Sequence, residues 1–194
     1  MNNPNKKAAI WHGVTAFCSA LVFAFFALPY YSAKIAFIKV SENGYEFLSY
    51  LGAKNTSAWY SIGSMFALMT LILAGLMFLA SIAAILCDLK IIKSEMLEKF
   101  TKWATFRGSF AFVTMTVFNV AGTIVFAIKE LGAVKYAGWA YLILILIMGI
   151  GAAASSAIAN YIKAEQKKDE KAETAKVEAP KEEPAKEEPT TKGE

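Results

Sequence analysis

The chain has 194 residues, 56% of them hydrophobic and 19% charged, with a formal net charge of +4. Four stretches, 8–33, 55–87, 108–128 and 136–162, hold no Asp, Glu, Lys or Arg. Each is at least as long as the ~20 apolar residues that cross ~30 Å of hydrocarbon. Runs of this length and number exclude an ordinary soluble domain, whose helices are shorter.

The first run follows Lys6 and Lys7 and ends in the bulky aromatics Phe25, Phe26, Tyr30 and Tyr31. Its apolar part is longer than the ~7–15 residues of a signal-peptide core, so an uncleaved first span over about 8–29 is expected. His12, the one histidine, is placed beside Trp11 in the interfacial aromatic belt. A loop over about 30–57 comes next. In it an Asn-Gly pair, Asn43 and Gly44, separates two alternating runs. Asn-Gly favours a tight hairpin turn, which gives a small hairpin, or a strand followed by a short helix, capping the bundle. The triplet Asn55-Thr56-Ser57 also matches a glycosylation sequon.

The second span is expected over about 58–87. In the loop that follows, Leu89, Ile92, Met96, Phe100 and Trp103 recur at helical spacing, with Lys90, Lys93, Lys99, Lys102 and Arg107 interleaved. This pattern suits a helix in the headgroup layer or an extension of the flanking spans. Its basic residues and Trp103 are candidates for interfacial lipid or partner contact.

The third span, about 106–128, carries Ser109, Thr116, Asn119 and Thr123 on one stripe. An amide in hydrocarbon must find a partner or stay costly. The stripe is therefore expected to face other helices, where such bonds contribute ~0.6 kcal/mol on average. The alternative is a lining for a water-filled path. Small residues also recur at helical spacing: Gly13, Ala16, Ala20, Ala24 and Ala27 in span one, Gly63, Ala67, Thr70, Ala74 and Ser81 in span two, and Gly149, Ala153, Ala157 and Asn160 in span four, about 138–162. Small residues let membrane helices approach closely.

A tail over 163–194 contains eight basic and ten acidic residues and ends in a repeated Lys-Glu-Glu-Pro unit. A helical extension of span four followed by a disordered segment is expected. Eleven basic residues flank one side of the spans (Lys6 and Lys7, the loop after span two, and the start of the tail) against five on the other. The positive-inside rule then puts both termini in the cytoplasm.

The expected fold class is all-α transmembrane, a four-helix antiparallel bundle over 1–162 with a small extracytoplasmic cap, including a short β-hairpin, and a disordered C-terminal tail. The charge-free runs hold no Asp, Glu, Lys or Arg, and His12 is their one histidine. There is no phosphate loop, dinucleotide fingerprint or metal-ligand cluster, so no catalytic residue, cofactor or metal is expected. The basic residues sit at membrane edges, which argues against nucleic acid. The expected partners are the lipid bilayer, and itself or another membrane protein, with no small-molecule substrate. Two functions follow. One is a non-enzymatic scaffold, accessory or adhesion-type membrane protein. The other is a small-solute channel or transporter subunit that uses the span-three ridge.

The plan of four spans, a longer first outside loop and both ends inside resembles the tetraspan proteins. Claudins share it, but their paired first-loop cysteines and Trp-Gly-Leu-Trp signature are missing. Leu28-Pro29 at the end of a span, followed by an aliphatic loop and Gly44-Tyr45-Glu46-Phe47, resembles uncharacterised four-span membrane proteins of Gram-positive bacteria and their wall-less relatives. The resemblance covers spans one and two and implies a bacterial cytoplasmic membrane protein.

Overall fold

The computed structural model describes residues 5–35, 38–54, 58–129, 134–136 and 138–178. The sequon triplet and the proline-rich end of the tail, 179–194, lie outside them. In chain order the elements are α1 (Lys6–Phe26), β1 (Pro29–Ile35), β2 (Ile38–Asn43), α2 (Gly44–Phe47), a 3₁₀ turn (Leu48–Tyr50), α3 (Ala58–Asp88), α4 (Glu95–Lys129), β3 (Val134–Tyr136) and α5 (Gly138–Glu178). Four helices are long and apolar enough to cross a membrane: Lys6–Phe26, Ala58–Asp88, Glu95–Val125 and Leu142–Lys168. Two compact units divide the chain, Met1–Tyr161 and Ile162–Glu194. In the second, the described residues continue as helix to Glu178.

A repeat of four and three residues brings the spans together. Buried positions run Ala8, His12, Thr15, Ser19, Val22 and Phe26 along α1, and Leu144, Met148, Gly151, Ser155 and Ile158 along α5. On α4 they run Thr101, Thr105, Gly108, Phe112, Met115, Asn119 and Gly122. A 3.5-residue period is that of left-handed coiled-coil packing, in which one seam stays turned toward its neighbours. The contacts fix an antiparallel register. A Cβ on Gly122 would lie 3.3 Å from the Gly63 carbonyl oxygen, and one on Gly108 2.9 Å from the Met77 methyl. On the same seam Phe112 packs its ring against Gly151 of α5.

The small-residue stripes divide. Gly63, Thr70, Ala74 and Ser81 are buried, as their spacing leads one to expect. In α1, however, Ala20, Ala24 and Ala27 are exposed and a Cβ on Gly13 would touch nothing. In α5, Gly149, Ala153 and Asn160 are exposed as well. Alanine is common on every face of these two helices. The seam of these two helices therefore combines hydroxyls, the imidazole and large knobs with the small Ala8, Ala16 and Gly151, and does not follow the small-residue stripes.

Asn43-Gly44 is not the hairpin turn. Asn43 has φ −90° and ψ 168° and caps α2: its Oδ1 accepts from the Tyr45 and Glu46 amides, and Glu46 returns a bond to the Asn43 amide. This reciprocal capping box starts a helix and has no need of the positive φ of a tight turn. Gly44 is required for closeness instead, since a Cβ there would lie 2.9 Å from Cε1 of Phe26. The hairpin forms earlier, between β1 and β2, with Ile35 opposite Ile38. On its other edge β1 pairs antiparallel with β3, from the loop between α4 and α5, giving the order β2-β1-β3.

The basic segment does not form a separate helix from Leu89. Helix α3 ends at Asp88, residues 89–94 form a turn, and Glu95 starts α4, so Met96, Phe100 and Trp103 extend span three. The stop has a backbone cause. Lys90 takes φ 59°, its amide bonds the Cys87 carbonyl, and the Ile91 amide bonds the Leu86 carbonyl. These are the two bonds of a Schellman ending.

Candidate functional site

The ridge on α4 is built into helix contacts. Ser109 accepts a 2.9 Å bond from the Ser156 hydroxyl of α5. Thr116 donates to the Phe112 carbonyl at 2.9 Å and lies 3.7 Å from the Met148 sulfur of α5. Asn119 is 7% exposed and its buried Nδ2 has no hydrogen-bond partner. Thr123 is buried one turn further on. Beside them Gly122 meets Gly63, and Phe118 meets Phe66 at 5.6 Å between ring centres. The four residues thus share a flank of α4 that looks toward α3 and α5. None is exposed.

The sequence pointed away from a second polar site, where α1, α3, α4 and α5 converge. His12 is 5% exposed and its Nε2 lies 3.6 Å from the Asp88 carboxylate at the last residue of α3. It faces the bundle and not the interfacial belt, while its neighbour Trp11 is 41% exposed. The turn of ~100° between consecutive helical residues explains the split. Asp88 escaped notice because a search for charge-free runs stops one residue before it. A usable signal was the series His12, Thr15 and Ser19, polar groups at the packing period. Thr15 and Ser19 bond carbonyls one turn back, at 3.2 and 3.0 Å.

Asn5 ties the same end together. Its side chain caps α1 by accepting from the Ala8 amide at 3.2 Å and receives the Tyr161 hydroxyl of α5 at 3.4 Å. Its own amide donates to the Asp88 carbonyl at 3.1 Å. A small cavity of about 10 Å³ lies here, lined by His12, Thr15, Ser81, Thr105 and Ser155 with apolar neighbours.

The basic set is exposed throughout: Lys90, Lys93, Lys99, Lys102 and Arg107, with Trp103 61% exposed. Lys102 pairs with Glu98 at 3.0 Å, one helical turn away. Phe100 stacks on Trp103 with ring centres 6.3 Å apart. A chain of exposed aromatic and apolar side chains, Met96, Phe100, Trp103 and Phe110, thus follows one face of α4 beside the cations.

At the opposite end of α1 the cap docks by specific bonds. The Ser64 hydroxyl donates to the Phe47 carbonyl at 2.7 Å, and the Tyr45 hydroxyl donates to the Phe23 carbonyl at 2.9 Å. Burial pushes the Tyr45 phenol above its ordinary value of 10.0. Phe47 is fully buried and its ring rests on Gly63.

Among the described residues no three His, Cys, Asp or Glu side chains gather to hold a metal ion. No family model, curated protein or solved structure matches the chain.

Proposed function

We propose that this chain is a non-enzymatic membrane protein of scaffold, accessory or adhesion type, acting through helix packing and protein partners in the plasma membrane, with both termini inside. The supporting observation is the fate of the α4 ridge. Ser109 is spent on Ser156, and Thr116 on Phe112 and Met148. Polar groups used this way hold helices in register. The cavity beside His12 has room for about one water. What remains for partners is outside the seam: the cap at one end, and the basic aromatic face of α4 at the other. The latter suits anionic headgroups, each nearby Lys or Arg adding ~1 kcal/mol of attraction.

A second reading keeps one observation in its favour, the buried Asn119 Nδ2 that has no partner. In that reading the chain is a small-solute channel or transporter subunit and Asn119 lines the path. Flux across proteoliposomes separates the two. The scaffold reading expects none above protein-free vesicles, whereas the channel reading expects flux that Asn119→Leu abolishes.

A further inference from the structure

We propose that the cavity where α1, α3, α4 and α5 converge is a hydration site, holding one water molecule that bridges α1, α4 and α5 through Ser155. Ser155 is 2% exposed, lines the cavity, and its hydroxyl has no partner in the protein. A buried hydroxyl without a partner is uncommon and calls for a ligand. The α4 backbone makes room for it, because a Cβ on Gly108 would lie 2.9 Å from Ser155 Oγ. The volume, about 10 Å³, stands at the ~10–15 Å³ that one water needs.

The lining supplies the further partners that such a water requires. Thr105 donates its proton to the Thr101 carbonyl at 2.7 Å, and Thr15 donates to the Trp11 carbonyl at 3.2 Å. Each threonine oxygen keeps lone pairs able to accept from water. The water accepts from Ser155 and donates to these oxygens, so α1, α4 and α5 become joined where direct contact is missing. Apolar neighbours such as Met77 and Ile158 cannot compete for it.

The test is water-edited solid-state NMR on the full-length, isotope-labelled protein in lipid bilayers. The internal control is Thr70, which is equally buried, bonded to the Phe66 carbonyl at 2.9 Å, and not part of the cavity lining. The expected result is transfer from water to the Ser155 and Thr105 β-carbons several-fold faster than to Thr70. Transfer to Ser155 as slow as to Thr70 would overturn the proposal. In Ser155→Ala the Thr105 transfer is expected to slow toward the Thr70 rate. If Thr105 stays fast in that variant, Ser155 does not hold the water and the assignment fails.

Discussion

Gly63 and Gly122 meet backbone to backbone between α3 and α4: a Cβ on either would reach the other's carbonyl oxygen, at 3.5 and 3.3 Å. On the same seam Gly151 of α5 receives the Phe112 ring, where a Cβ would lie 2.6 Å from Cζ. Helix α4 is therefore held between two close approaches. Gly151→Ala should destabilise the protein by about 1–3 kcal/mol, because the fully buried Phe112 ring has to shift. Gly149→Ala, two residues away with nothing within 4 Å, should stay within about 0.5 kcal/mol. Thermal unfolding of both variants in the same detergent checks the contrast.

The cap should detach by steps. Ser64→Ala removes the donor to the Phe47 carbonyl and should cost about 1 kcal/mol. Tyr45 adds a dependence on pH. Its phenol is raised by burial, so the folded state favours the neutral form. That contribution is fully present below the ordinary value of 10.0 and is lost as pH rises through the elevated one. Unfolding curves taken between neutral and strongly alkaline pH should fall in wild type and fall less in Tyr45→Phe.

Lys90 holds φ 59° at the end of α3, a left-handed conformation that carries a Cβ penalty. Lys90→Gly should stabilise the α3–α4 turn by up to about 1 kcal/mol, offset in part by greater freedom in the unfolded chain. Chemical or thermal denaturation measures it. A loss of stability would show that the lysine makes a contact stronger than the strain it carries.

His12 and Asp88 should be coupled. With the histidine side chain 6% and the aspartate 23% exposed, and 3.6 Å between them, a double-mutant cycle of His12→Ala and Asp88→Ala should give an interaction of about 0.5–3 kcal/mol. Additive losses would reduce the pair to proximity.

The number of long apolar helices and their rough places were legible because lipid tolerates no scattered charge, so the charge-free runs mark them. Their ends were not. Helix α3 ends at Asp88 with Lys90 as its left-handed residue, without the glycine or proline that marks a stop in sequence. Helix α4 begins at Glu95, since Glu95, Glu98 and Lys102 suit a helix as well as a loop. The ridge on α4 could be seen as a stripe, whereas its partners Ser156 and Met148 could not, because pairing between spans depends on register. The face of α1 was misjudged for a simple reason. Its small residues lie on both sides, and the decisive series His12, Thr15 and Ser19 is polar, which composition alone assigns to an edge and not to a seam. The third strand, β3, was hidden in a three-residue segment too short for alternation to show.

The proposed sidedness rests on the count of basic residues. With native cysteines replaced, a single cysteine at Lys93 should react with a membrane-impermeant maleimide only when the cytoplasmic face is open. One at Lys54, in the loop before α3, should react in intact cells. The reverse pattern would invert the proposed topology. Both positions are exposed, so access to the reagent is not in question.

The most direct test of the central claim, that the α4 ridge packs within its own chain, is a photo-crosslinking residue at Asn119 in native membranes. Its product should run at monomer mass, with position 119 joined to α3 or α5. A heavier product, containing a second copy or another protein, would contradict the claim and make this flank of α4 an assembly face.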